Sequence, residues 1–418
     1  MNDANLSAAT RRITATLFAS QSLASAAIIA AFTVSAIIIV DLSGTEASAG
    51  LPSTLTLAGA AFAAYPAGRM MQRFGRRIGL SLGFLFGLVG MGLGAVAVLL
   101  PSFVVFLFGL LFIGVARGFV DQSRYAAADA APISERARAI SLVVFAGTVG
   151  AIGGPLLVGP LGVLATQFGL PELIGPLLGG AILFGLGGLV ILALLFPEPQ
   201  KIAQALAAAE TRTGTAAPEG TAHNIADVLR IPAGRTALVA MVIGQMVMVL
   251  IMSVTSLHMH QNGHELGNIS LVIGAHTFGM FGFSMLTGWF ADRLGRPATI
   301  AIGALILIVG AIVGPLSLQV FWLAVALFLV GLGWNLCYIA GSSLLADSLT
   351  AGERGRVQGA SDLLVNLGAA TGSLGSGVVL ANFGYGALCL LGGLFALLPL
   401  LMAAGRMRAD RTIPAVGD

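Results

Sequence analysis

An α-helix needs about twenty mostly apolar residues to cross the hydrocarbon core of a bilayer. This chain offers twelve such stretches, near 13–40, 51–71, 79–99, 103–130, 139–165, 173–196, 236–258, 268–291, 297–316, 319–345, 357–381 and 385–404. They are called spans 1 to 12 below. Apolar residues make up 57% of the chain and charged residues 9%, against about a quarter charged in a soluble domain. A soluble protein of that composition would present apolar surface to water and aggregate. The 57 glycines fit the same reading, because helices in lipid associate through small residues that let backbones approach. The fold class is therefore an all-α membrane protein with twelve transmembrane helices, and the bilayer is its first partner.

The spans fall into two sets of six. An N-terminal half (13–196) and a C-terminal half (236–404) flank a polar linker (197–235), and a short tail (405–418) follows. The linker holds Pro197, Pro199 and the run TRTGTAAPEGTAHN. Ile225, Val228 and Leu229 are at helical spacing, which predicts a short helix on the membrane surface. Arg11-Arg12 precede a run long enough to span, so this segment reads as the first helix and not as a removable signal.

Basic residues set the orientation. Arg117 and Arg124 lie inside span 4, and the other 19 of the 21 Lys and Arg fall at the termini or on alternate loops. The opposite loops carry Asp41, Glu46, Glu172 and Glu265 instead. By the positive-inside rule, both termini are expected in the cytoplasm, with the chain in a bacterial inner membrane.

Several chemistries lack their residues. Cys337 and Cys389 lie in apolar runs without paired spacing, giving neither a disulfide framework nor a zinc site. There is no Gly-x-x-x-x-Gly-Lys-Ser/Thr for nucleotide-driven pumping and no glycine-serine elbow for hydrolysis. His258, His260 and His264 cluster near the end of span 7 without a ligand-like convergence. The expectation is a non-enzyme without metal, cofactor or nucleic-acid partner, acting as a monomer.

The halves repeat. Gly68-Arg69-Met70-Met71-Gln72-Arg73-Phe74-Gly75-Arg76-Arg77 follows span 2, and Gly288-Trp289-Phe290-Ala291-Asp292-Arg293-Leu294-Gly295-Arg296-Pro297 follows span 8, an offset of 220. Asp129 with Glu135-Arg136-Ala137-Arg138 after span 4 matches Asp347 with Glu353-Arg354-Gly355-Arg356 after span 10, an offset of 218. Both pairs lie on the same side of the membrane, so the halves are parallel six-helix units. Gly75 and Gly295 allow a tight turn, and Gly68 and Gly288 are expected to allow close helix contact.

The two decapeptides resemble the signature loop between helices 2 and 3 of the major facilitator superfamily, Gly-x-x-x-Asp-Arg-x-Gly-Arg-Arg, and the resemblance covers the whole chain. It implies a rocker-switch secondary transporter whose cavity lies between the halves, lined mainly by helices 1, 4, 7 and 10. It also implies that the acid and arginine of the loop latch the cytoplasmic side. Asp292 and Arg293 match that pattern, while the first half has Gln72 before Arg73 and so lacks the acid. Gly147, Gly150, Gly154-Pro155 and Gly159-Pro160 in span 5 partly resemble the Gly-Pro motif of family exporters and serve equally as a packing face.

Polar groups inside the spans mark candidate sites. Arg117, Asp121 and Arg124 are spaced four and three apart, which puts them on one face of a continuous helix. A charge deep in the bilayer costs at least about 2.5–3.5 kcal/mol, so this stripe faces protein or a water-filled cavity. At an offset of 218, Asn335 matches Arg117, and its neighbours Trp334 and Tyr338 are four apart and could wall a substrate site. Gln21 and Gln245 add a polar group to spans 1 and 7, and His276 lies within span 8. The expected function is secondary active transport of a small organic solute, with a proton gradient as driving force and export as the favoured direction. The alternatives are proton-coupled uptake of an organic anion or vitamin, and a non-transporting membrane receptor on the same fold.

Overall fold

A computed structural model describes residues 3–132, 136–204, 225–348 and 351–412. The run 211–224 of the linker and Glu135 lie outside the described residues, as do the side chains of Arg136, Arg138 and 353–356. Every long element described is a helix. Among the described residues, ten helices are long and apolar enough to cross a membrane. One of them, Ala360–Ala409, reverses at Gly384, whose φ of 78° lies in the left-handed region that favours glycine, so this stretch carries spans 11 and 12. Leu51–Phe74 is span 2, a 24-residue helix more polar than the rest. With these, all twelve expected spans are present.

The helices group into two compact units: residues 1–44, 52–217 and 265–270 form one, and residues 45–51, 218–264 and 271–418 form the other. Each unit also takes in a short segment from the opposite half of the sequence. In the second unit, Ser373 Oγ donates to the Gly50 carbonyl at 2.7 Å and Gln261 Nε2 donates to Glu46 Oε1 at 2.8 Å.

Within each unit the helices close on glycine. In the first, a Cβ on Gly90 would sit 2.8 Å from the Gly109 carbonyl oxygen, joining spans 3 and 4. In the second, a Cβ on Gly303 would sit 2.9 Å from the Gly333 oxygen, joining spans 9 and 10. Spans 2 and 4 meet where Gly59 faces the Leu111 carbonyl and Gly114 faces that of Thr56. Spans 8 and 10 meet where Gly279 faces Phe328 and Gly331 faces His276 in the same way. Without a hydrophobic drive between helices in lipid, such backbone contact is what remains to hold them. The close contact expected at Gly68 and Gly288 is absent: a Cβ there would meet no atom within 4 Å.

These contacts refine the internal repeat. Gly59 and Gly279 are 220 apart, like the loops, but Gly114 and Gly331 are 217 apart, and Asp129 and Asp347 are 218 apart. The extra residue therefore enters between Gly331 and Asp347. Span 10 runs unbroken there, whereas span 4 is interrupted. By packing, the counterpart of Arg117 is Trp334, and not Asn335 as the loop offset suggests.

The short helix expected in the linker is Ile225–Arg230. Its Val228 is fully buried, packed with Ala237, Leu238 and Met241 of span 7, while Leu229 is exposed.

Candidate functional site

The two repeated loops adopt one geometry. Gly75 and Gly295 have φ of 92° and 89° and end one helix while starting the next. Arg76 Nε reaches Asp129 Oδ2 at 2.8 Å, and Arg296 Nε reaches Asp347 Oδ2 at 3.1 Å. Arg296 also meets Asp292 at 2.9 Å, one helical turn back. Gln72 stands at the position of Asp292. The Arg73 guanidinium lies over the Phe74 ring and that of Arg293 over Trp289, at 5.2 and 5.3 Å.

In the first unit, span 4 does not continue through its charged stripe. One helix ends at Val120, Asp121 caps it, and a second helix, Ser123–Asp129, follows. Ser123 Oγ donates to the Val120 carbonyl freed by the break. The three charges consequently do not form the expected ladder. Arg117 Nε stands 3.9 Å from Asp121 Oδ2, a loose pair, and Arg124 lies over the ring of Tyr125 at 4.9 Å.

The exposure pattern shows where this pair points. Phe106, Leu110, Ile113 and Arg117 are spaced four, three and four apart, on one stripe of the helix. The first three are at most 3% exposed, whereas the side chains of Arg117 and Asp121 are 44% and 49% exposed. Val104 and Phe108 form the exposed apolar stripe on the other side. The pair therefore lies at the end of the buried stripe, half exposed, where the helix breaks.

Gln21 faces span 5, its Nε2 3.7 Å from where a Cβ on Gly147 would be, and its buried Oε1 has no hydrogen-bond partner among the described residues. Three of the span 5 glycines face span 1: a Cβ on Gly154 would lie 2.5 Å from the Ala26 oxygen, one on Gly150 would overlap Ser22, and Gly147 faces Ser25, while Gly159 faces Gly267.

In the second unit three of the candidates converge. Trp334 Nε1 donates to Gln245 Oε1 at 2.6 Å. The Trp334 and Tyr338 rings are stacked, with centroids 5.1 Å apart and planes 23° from parallel. Phe281, from span 8, meets Trp334 edge-on at 6.0 Å. Because the Gln245 oxygen is taken by the indole N–H, the amide offers its two N–H donors. Sequence reasoning missed Phe281, which sits beside the break in span 8 between Leu266–Phe281 and Ser284–Arg293.

Asn335 turns to that break instead. Its Nδ2 donates to the Met280 carbonyl at 2.6 Å and to Ser284 Oγ at 3.0 Å, and its Oδ1 accepts from Thr287 Oγ1 at 2.5 Å. All its polar atoms are thereby engaged, and it is 2% exposed. His276 is fully buried, its Nδ1 2.8 Å from the Leu327 carbonyl, and so ties span 8 to span 10. His258 stacks on Tyr385 with centroids 4.1 Å apart. Among the described residues, no three His, Cys, Asp or Glu side chains group to hold a metal ion.

The family model of the Major Facilitator Superfamily matches this chain twice, over residues 16–267 and 236–415. This chain belongs to the major facilitator superfamily. It is 39% identical over 385 residues to the MFS-type transporter YdeG of Bacillus subtilis (strain 168), covering 91% of this chain and 88% of that one. It is 32% identical over 348 residues to the riboflavin transporter RfnT of Brucella anthropi, covering 82% and 83% respectively. In fold it matches the crystal structure of a bacterial homolog of the human lysosomal transporter Spinster, at a TM-score of 0.70 and 18% identity over 96% of this chain and 98% of that one. It is thus a multi-pass membrane transporter.

Proposed function

We propose that this transporter carries a planar heteroaromatic solute bearing a carbonyl acceptor, by proton-coupled alternating access across the inner membrane, with both termini in the cytoplasm. The observation that carries the substrate class is the group Gln245–Trp334–Tyr338–Phe281. An aromatic platform gains from stacking against a flat ring system. A donor-presenting amide at its edge selects a carbonyl over an amine. Riboflavin, the solute named for one relative, is a flat tricyclic system edged with carbonyls, which supports the same class.

The proton role rests on Asp121. Arg117 is its charge partner, and a solute acceptor that engages Arg117 would release the carboxylate to take up a proton. As to direction, export drew on the glycines of span 5. Those glycines have packing roles, Gly150 and Gly154 against span 1 and Gly159 against Gly267, so we favour uptake of a vitamin-like solute.

The test is accumulation of radiolabelled riboflavin by proteoliposomes under an imposed pH gradient. Accumulation that collapses with a protonophore is expected. Accumulation indifferent to the gradient would remove the proton coupling, and neither binding nor accumulation of any flat heterocycle in a screen would remove the substrate class.

A further inference from the structure

The second-half loop balances Arg296 with two carboxylates, Asp292 and Asp347. The first-half loop has Gln72 where that second acid belongs, and among the described carboxylates only Asp129 meets the Arg76 guanidinium. Yet an acid does arrive there, from 122 residues further along the chain. The carboxylate of Glu198, just past span 6, accepts from the Arg76 backbone N–H at 2.6 Å and from the Arg77 backbone N–H at 3.4 Å. It sits over Gly75, where a Cβ would come within 3.0 Å of its carboxyl carbon. Those amides are the orphan donors at the start of span 3, where a negative charge is also favoured by the helix dipole.

The residues around Glu198 hold it in place. The Arg77 guanidinium lies over the Phe196 ring at 3.8 Å and donates to the Leu192 carbonyl. Gln200 Nε2 donates to the Gln72 carbonyl at 2.8 Å, and Ile202 is buried. The first stretch of the linker is therefore laid on the loop through both side-chain and main-chain contacts. Among the described residues the second-half loop receives nothing comparable: a Cβ on Gly295 would meet no atom within 4 Å.

We propose that Glu198 is the missing acidic member of the first-half loop, supplied by the linker in place of a residue at position 72. Its charge balances the arginines of the loop, and its attachment makes the start of the linker part of the first unit. An Asp at 72 would stand four residues before Arg76, as Asp292 stands before Arg296, and could supply the charge without the attachment.

The chain has one lysine, Lys201, exposed and three residues past Glu198. A lysine-specific protease can therefore cut only there, and its rate reports whether this stretch is laid down. Glu198→Gln keeps the shape and removes the charge. Cleavage at Lys201 should quicken about tenfold, Tm should fall, and riboflavin turnover should drop about fivefold in kcat at unchanged KM, the scale of one charge-assisted bond. Adding Gln72→Asp should restore Tm and kcat to within about twofold while cleavage stays fast. A cleavage rate equal to wild type in Glu198→Gln would overturn the attachment. A double variant no better than Glu198→Gln in Tm and kcat would overturn the charge role. If the wild type does not carry riboflavin, cleavage and Tm still decide this proposal, and only the substrate class falls.

Discussion

The two halves share a scaffold and differ where the scaffold is least constrained. Glycine contacts between spans 2 and 4 recur between spans 8 and 10, and the loop glycines repeat with φ of 92° and 89°. At the matched place on spans 4 and 10, however, one half has Arg117 in a loose pair with Asp121 and the other has Trp334 bonded to Gln245. Breaks differ as well. The first half interrupts span 4 beside its charges, while the second interrupts span 8 and keeps span 10 whole. A repeat thus preserves the backbone contacts that hold helices together in lipid and frees the facing positions for separate work. In our account, the first half handles charge and the second recognises the solute.

The largest effect should come from Asn335, which completes the broken span 8. Asn335→Leu leaves the Met280 carbonyl and two hydroxyls without their partner, a loss of about 3–4 kcal/mol. Arg117→Leu should cost under about 1 kcal/mol, since its pair is loose and half exposed. Thermal unfolding in detergent checks both, and equal losses would erase the contrast between the halves.

Next is Trp334→Ala, which removes the stacking surface and releases Gln245. Solute affinity should weaken about thirtyfold, roughly 2 kcal/mol, by titration calorimetry. Arg117→Lys should weaken it less, and a reversal of that order would move recognition to the first half.

Smaller again are the loop pairs. Asp129 and Arg76 are 26% and 16% exposed, against 57% and 28% for Asp347 and Arg296. Asp129→Asn should therefore lower stability by about 1–2 kcal/mol and Asp347→Asn by under about 1 kcal/mol. The smallest change belongs to Gly288→Ala, within about 1 kcal/mol and toward stability, because the added methyl meets open space in a helix. Gly279→Ala, nine residues earlier, should instead be destabilising, since its methyl would overlap the Phe328 carbonyl.

Much of this was legible in the sequence, for physical reasons. Length and apolarity alone fix the spans, and Gly75 and Gly295 announce turns through their place in a repeated loop. Trp334 and Tyr338 are four apart on one helix, so their stacking follows from periodicity. The breaks were not legible. Gly118 and Ser123 flank one and Gly282 begins the other, but many helices in lipid contain such residues intact. The offset of 218 came from the loops, and the one extra residue between Gly331 and Asp347 makes Trp334, and not Asn335, the counterpart of Arg117. Phe281 and Glu198 were out of reach because their roles depend on residues 53 and 122 positions away. The absent acid at Gln72 was the one signal pointing toward Glu198.

The central claim is that coupling and recognition lie in different halves. It is tested most directly by measuring solute binding and pH-driven accumulation together, in proteoliposomes of Asp121→Asn and of Trp334→Ala. Asp121→Asn should bind the solute within about twofold of wild type yet fail to accumulate it against a gradient. Trp334→Ala should lose both through weakened binding. If Asp121→Asn accumulates solute with unchanged pH dependence, the division between the halves is wrong and the Arg117–Asp121 pair is structural.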